Sequence, residues 1–266
     1  MSGRTWLTVD SDDLRHLPIY QGHPTRSQRV YDGDSNLLSV RFQEGWSGFI
    51  QWMNGHEAAV TLFVISDLLE QDDFPPLLRD ALEQFGARLT IGCHGHTHRS
   101  WSSWGQDEIG FADMLSHSTA LLKQHAGEAF RPYFRAPSGY VAPWMAEVLA
   151  EKGYKVDSSV NPSWLVRKKA AGHAWHRVTQ AMDANGIVER QWLTAWSLPV
   201  NGPALFRFPL SLLARRSWKR AGRAFTASEV HQVEDRKYDH ETVYCHILDF
   251  ARNDGAWTPP LKMHQQ

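Results

Sequence analysis

The sequence predicts an α/β fold of parallel strands with helices packed outside them. Short apolar runs alternate with longer amphipathic segments from Thr5 to Ser158, and clusters of titratable residues follow several of the runs directly. Such alternation needs a crossover between successive strands, which makes the strands parallel. An open sheet and a closed barrel fit the pattern equally. With 266 residues, 42% of them hydrophobic and 21% charged, the chain has room for one large α/β unit.

The elements follow in order. Thr5–Val9 reads as the first strand. Residues 14–45 are polar and punctuated by Pro18, Gly22, Pro24 and Gly33, so a long loop insertion is expected there, of the kind that is either functional or disordered. Trp46, Phe49, Ile50 and Met53 share one helical face in Gly45–Met53. Ala58–Ile65, the densest apolar stretch, suits a buried strand. Phe74-Pro75-Pro76 opens a helix that runs to about Phe85, before Gly86. Arg88–Gly92 is a strand, Gln106–His125 an amphipathic helix stopped by Gly127, Arg131–Arg135 a strand, Val141–Glu151 a helix and Tyr154–Ser158 a strand. After Val160 the alternation blurs. Strands are expected within Arg190–Val200, a basic helix over Ser211–Ala224 and a last core strand at Thr242–His246. No linker marks a boundary, so one domain over residues 1–266 is expected.

Composition narrows the function. A net charge of -1 does not suit a chain built as a whole to hold nucleic acid. A mean hydropathy of -0.44 and the lack of a long apolar run argue against a transmembrane segment. No signal-peptide pattern is read at the N-terminus, and the expected compartment is the cytoplasm. Twelve Trp is a high count, and some of them suit a sugar-binding cleft while most suit the core. The two cysteines, Cys93 and Cys245, each precede a histidine. On a strand they would point away from it, into the core, as inert buried thiols. Arg190–Ser228 contains no Asp or Glu yet carries Arg207, Arg215, Arg216, Lys219, Arg220 and Arg223, and Arg167, Lys168 and Lys169 form a smaller cluster. These read as a solvated face, as a site for an anionic substrate group, or as peripheral contact with an anionic membrane through residues 207–223.

Active sites of parallel α/β folds gather where the strands end. Asp10-Ser11-Asp12-Asp13 follows the first strand. Cys93-His94-Gly95-His96-Thr97-His98 follows the third, and Arg135-Ala136-Pro137-Ser138-Gly139 the fourth. His246 ends the last. Asp10 and Asp12, two apart, can face the same way. Three histidines in five residues point to a metal, for which neutral imidazole is a preferred ligand. Gly95 replaces the Glu of the H-E-x-x-H pattern. Two ligand pairs remain, His94 with His98 or His94 with His96, and the first is favoured because Gly95 and Thr97 suit a loop entering a helix.

Thr8-Val9-Asp10-Ser11-Asp12-Asp13, Thr61–Val64, Gly92–His98, Phe134–Gly139 and Val243–His246, in that order, resemble the motifs of the polysaccharide deacetylases. This is the NodB-homology group of carbohydrate esterases, in a variant with a spread D-x-D first motif. Tyr154–Ser159 resembles a further segment of that family. The resemblance spans about Thr5 to Asp249. It implies a distorted (β/α) barrel of about seven parallel strands, with Asp12, His94 and His98 as ligands of Zn2+ or of another divalent ion such as Co2+ or Ni2+. It also implies Asp10 as general base, Arg135 as its partner, His246 as general acid, and an oxyanion donor in the backbone near Pro137 and Ser138. Asp13 stands where the family has Gly, which leaves Asp12 and Asp13 as alternatives for the carboxylate ligand. Ser138 stands where many members have Tyr. Asp249 is a candidate group behind His246.

That set of groups suits metal-assisted amide hydrolysis. The expected activity is removal of an acyl group, in the first place acetyl, from an N-acylated amino sugar, with a saccharide or glycolipid as substrate. The alternatives are a hydrolase of a small non-sugar amide on the same fold and a non-catalytic domain that binds a saccharide or a partner.

Overall fold

The structure, a computed structural model, describes residues 3–262. The chain runs β1 (Arg4–Asp10), α1 (Val40–Asn54), β2 (Val60–Val64), α2 (Phe74–Phe85), β3 (Leu89–Cys93), α3 (Glu108–Ala126), β4 (Phe130–Phe134), α4 (Met145–Glu151), β5 (Val156–Asp157), α5 (Trp175–Ala184) and β6 (Val188–Glu189). It continues through β7 (Thr194–Ala195), β8 (Leu198–Pro199), α6 (Leu210–Arg220), β9 (Arg223–Ala224), β10 (Glu241–His246) and α7 (Ile247–Phe250). The main sheet has the order β10-β1-β2-β3-β4-β5-β6, with every neighbouring pair parallel. These seven strands curl into a partial barrel. Beyond β6, Trp192 forms a parallel bridge to Thr242 of β10, which brings the two edges together. β9 pairs with the start of β1, and β7 with β8 forms a separate antiparallel hairpin.

Alternation along the strands separates two environments. Leu7 and Val9 of β1, Leu62 and Val64 of β2, Ile91 and Cys93 of β3, and Val243 and Cys245 of β10 join the large apolar core shared with the helices. The intervening residues face into the barrel. There Trp6, Phe63, Tyr133, Val156 and Val188 form a second apolar cluster with Phe225 and Val233. Each large apolar side chain buried in this way is worth about 1.5–3 kcal/mol. Toward the barrel mouth the inward positions become polar: the Trp6 indole N–H donates to Thr61 Oγ1 at 2.9 Å, and Thr8 Oγ1 donates to the Val243 carbonyl at 2.8 Å. Gly92 holds an inward position on β3, where a Cβ would lie 2.7 Å from the Phe63 ring.

Four elements differ from the expectation. The 14–45 insertion is shorter, because Leu14–His16 forms a 3-10 turn and α1 starts at Val40, five residues early. Ser39 is the reason: its hydroxyl caps the helix by accepting from Phe42 N–H at 3.1 Å. Helix α4 starts at Met145 rather than Val141. The basic helix ends at Arg220, and Arg223–Ala224 pairs as β9. Helix α5 has no counterpart in the sequence reading, since its buried stripe is only Val178 and Met182, too narrow a pattern to stand out.

Candidate active site

Parallel register assembles the site. Asp10 lies directly opposite His246 across β1 and β10. Cys93 pairs with Phe134, and Phe134 with Asp157, so the residues one step further, His94, Arg135 and Ser158, reach the same rim. Asp10, Asp12, His94, His98, Ser138 and His246 line one cleft of about 700 Å³.

Asp12, His94 and His98 are buried, and one donor atom from each lies within 4.8 Å of the others. Asp12 Oδ1 is 2.9 Å from His98 Nε2, and Asp12 Oδ2 is 3.7 Å from His94 Nε2. His94 Nδ1 is 2.8 Å from the Arg135 carbonyl, to which it donates, leaving Nε2 as a lone pair aimed at Asp12. Burial holds the His94 pKa below its ordinary value. Burial would raise that of Asp12, but His98 and His94 outweigh it and keep Asp12 well below the usual carboxylate range. Asp12 Oδ2 is buried without a hydrogen-bond partner. An orphaned carboxylate oxygen is costly unless a cation meets it, so the donor set fits a divalent ion.

The other two ligand candidates lie elsewhere. Asp13 turns away to cap the Leu14–His16 turn and to accept from Ser39 N–H at 2.9 Å. His96 is held through Nδ1 by Ser66 Oγ at 3.0 Å and faces Glu70 and His117, a separate half-exposed cluster on the outside of the barrel.

Asp10 and Arg135 form a buried ion pair at 2.7 Å. The guanidinium is fixed on every side: Nε donates to the Ser158 carbonyl at 3.0 Å, Nη2 donates to Ser158 Oγ at 2.9 Å, and the group lies 4.3 Å from the Phe63 ring centre. Trp192 Nε1 donates to the same Ser158 carbonyl at 2.9 Å, and Ser159 Oγ accepts from Ala136 N–H at 2.8 Å. Across the cleft, His246 Nδ1 lies 3.2 Å from Asp249 Oδ2. A His246 ring nitrogen falls within 4.8 Å of carboxylate oxygens of Asp10 and Asp12. Burial opposes a charge on His246, but the Asp249 hydrogen bond and the charges of Asp249, Asp12 and Asp10 prevail and raise its pKa to about 9. Ser138 follows the buried Pro137 in the left-handed region (φ 53°), and its carbonyl accepts from Lys169 Nζ at 2.5 Å.

The segment between Leu17 and Ser39 packs onto the His94–His98 loop. Gly22 (φ +85°) approaches so closely that a Cβ would lie 1.8 Å from the His98 carbonyl oxygen, and its own carbonyl accepts from Ser100 N–H at 2.7 Å. His23 Nε2 meets Tyr140 Oη at 3.1 Å. Cys93 and Cys245 are free and buried, and burial raises both thiols. Sequence reasoning did not single out Ser158, Ser159, Trp192, Tyr244 or Arg252 as site residues, and took Lys169 only as part of a basic cluster. The signals present were the family-like Asp157-Ser158-Ser159 segment and, for Tyr244, the Val243–His246 motif.

A family model for polysaccharide deacetylase matches residues 32–156, a stretch that holds His94, His98 and Arg135 but neither Asp10 and Asp12 nor His246. No curated protein matches the sequence. Among solved structures, a candidate polysaccharide deacetylase from Mycobacterium smegmatis is similar with a TM-score of 0.60 at 18% identity, over 96% of this chain and 80% of that one. A 4-alpha-glucanotransferase from Thermococcus litoralis shares the fold with a TM-score of 0.53 at 13% identity, over 96% of this chain and 35% of its own. The chain is thus similar to the polysaccharide deacetylases over residues 32–156, and it shares its partial-barrel fold with these solved structures.

Proposed function

We propose that this chain is a divalent-metal-dependent hydrolase that removes an acyl group, in the first place acetyl, from an N-acylated amino sugar. One observation carries the reading: the Asp12–His94–His98 donor set lies in the same cleft as a buried Asp10–Arg135 pair and a His246–Asp249 pair. Asp12, His94 and His98 would hold the ion, with Zn2+, Co2+ and Ni2+ as candidates. When bound, it supplies Lewis acidity to the acyl carbonyl and to water. Asp10 accepts a proton from the attacking water, and its ion pair with Arg135 fixes its orientation. The Ser138 backbone N–H donates to the oxyanion as it forms. His246 faces Asp10 across the register and gives a proton to the departing amine, with Asp249 holding its ring. Trp192, Tyr244 and Phe206 supply aromatic walls suited to a sugar ring.

The reading extends to peripheral contact of residues 207–223 with an anionic membrane. Trp196 (85% exposed) and Leu212 (66%) stand in water close to Arg216 and Arg220, and Phe208 (82%) is exposed just before α6. Among the described residues no helix is long and apolar enough to cross a membrane, so the contact would be interfacial. Sedimentation with phosphatidylglycerol vesicles is expected to carry the protein down, with loss on Trp196→Ser plus Phe208→Ser. Equal recovery in the supernatant with and without vesicles would contradict the membrane part alone. The activity is tested by acetate release from N-acetylated saccharides by the metal-loaded protein. Release that is lost in Asp10→Asn supports the proposal. Turnover of small amides with none of the saccharides would move it to non-sugar chemistry.

A further inference from the structure

The cleft contains more positive charge than the reaction above uses. Arg26, Arg41, Lys169, Arg207 and Arg252 all line it, contributed by different parts of the chain. Its three carboxylates are engaged: Asp10 with Arg135, Asp12 with His98, and Asp249 with His246 and Arg252. Among the described residues, Arg26, Arg41, Lys169 and Arg207 form no ion pair. The chain as a whole is close to neutral at -1, so a general excess of base does not account for the gathering.

Lys169 separates this set from ordinary surface arginines. It lies on the Trp164–Ala170 turn, its Nζ donates to the Ser138 carbonyl at 2.5 Å, and it stands 5.4 Å from the Tyr140 ring centre. One ammonium hydrogen is thus committed beside the site, and two remain. Burial and the neighbouring charge of Arg26 push its pKa down to about 8, and His23 is depressed by burial and by the same two cations. Like charges brought together beside a cleft, with no carboxylate between them, are stabilised by a ligand that carries the missing negative charge.

We propose that the cleft carries a subsite for an oxyanion group of the substrate, a phosphate ester or a carboxylate, centred on Lys169 and Arg26, with Arg207 and Arg41 lining the same cleft. The proposal rests on the amino-sugar reading and narrows it to an anionic amino sugar. Arginine forks and a lysine point charge are the groups that bind such oxyanions. The subsite lies next to Ser138, so an anion bound there would place the acyl amide near the Asp10–His246 pair.

The test is equilibrium binding by calorimetry to the metal-loaded protein, with N-acetylglucosamine, N-acetylglucosamine 1-phosphate, N-acetylmuramic acid and inorganic phosphate as probes. The phosphate ester or the carboxylate is expected to bind at least about 10-fold more tightly than the neutral sugar, and which of the two does so identifies the anion. That preference is expected to weaken with added salt. Arg26→Gln and Arg207→Gln, both at exposed positions, are expected to reduce it about 3- to 10-fold each while leaving the neutral sugar's affinity unchanged. Lys169→Met is expected to reduce it at least as much, and Lys169→Arg to restore it, which a role confined to holding Ser138 would not produce. Equal affinity for neutral and anionic sugars, or an anion preference that survives all these variants, would overturn the proposal. If no sugar binds but inorganic phosphate does, and Lys169→Met and Arg26→Gln weaken it, the subsite stands and the amino-sugar reading falls.

Discussion

Asp10 has a structural role and, in the proposed mechanism, a chemical one, and a measurement can separate the two. It ends β1, opposes His246, and shares a buried ion pair with Arg135, whose Nε and Nη2 donate to Ser158. Removing one member of a buried pair leaves the other charge uncompensated, which typically costs about 3–5 kcal/mol. Asp10→Asn keeps an acceptor for Arg135 but no longer a base. It is expected to lower kcat by about 10²- to 10⁴-fold with a smaller loss of thermal stability than Asp10→Ala, measured by acetate release and by thermal unfolding. Unchanged kcat in Asp10→Asn would remove it as the base. In the proposed mechanism Asp249 acts at one remove, by orienting His246 through a 3.2 Å contact. Asp249→Asn is expected to lower kcat about 10-fold or more with metal content and KM nearly unchanged, since it reorients the acid without touching the ligands. A fall in bound metal instead would place Asp249 in support of the metal site.

Among the elements, the segment between Leu17 and Ser39 is structural support for the His94–His98 loop. Asp13 and Ser39 staple its two ends together, and Gly22 packs against the His98 carbonyl. Gly22→Ala introduces both a left-handed alanine and a clash with backbone, so the loop must move. It is expected to lower the melting temperature and to weaken metal affinity about 10-fold or more, by calorimetry with Zn2+. Gly105→Ala is the control: it has a similar positive φ of 94° but open space around it, and should cost only the backbone strain of about 1 kcal/mol. Equal effects of the two would deny the loop its supporting role. The sequence marked this segment as a long loop but not its contacts, because those depend on Ser100, Trp104 and Tyr140, which lie far along the chain. The hairpin tip is similar: Trp196 and Ser197 both have positive φ, in place of the Asn-Gly that usually announces such a turn.

Across the whole molecule, the barrel base is tied by Glu229, which pairs with Arg223 of β9 and Arg4 of β1 and accepts from Thr226 N–H at 3.0 Å. Its hydrogen bond with Arg223 is the main cause that lowers its pKa to about 2. A carboxylate depressed in the folded state contributes stability above its unfolded pKa of about 4.3 and loses that contribution as pH falls toward 2. Glu229→Gln is therefore expected to cost on the order of 2 kcal/mol at pH 7, with the gap to the native chain narrowing from pH 4.5 to pH 2, read by denaturant unfolding. A gap independent of pH would show that packing, not charge, is what Glu229 provides. The same parallel architecture explains what the sequence could reveal. Strand alternation sends Cys93 and Cys245 outward and His94 and His246 inward, and parallel pairing puts every strand end on one rim, so residues at run ends were legible without knowing the contacts. Lys169, Ser158 and Trp192 were not, because their roles come from partners 23 to 34 residues away across closed loops. Helix α5 and the split of the basic segment into α6 and β9 were hidden for a related reason: their apolar stripes are short and set by neighbours.

The proposed Asp12–His94–His98 metal site is checked by metal stoichiometry after reloading with Zn2+ or Co2+. The comparison is best made in a His117→Ala background, so that the separate Glu70–His96–His117 cluster does not contribute. About one metal per chain, lost on His98→Ala with the fold intact by circular dichroism, is the expected result. The same stoichiometry with and without His98, or no specific metal in either protein, would contradict the account.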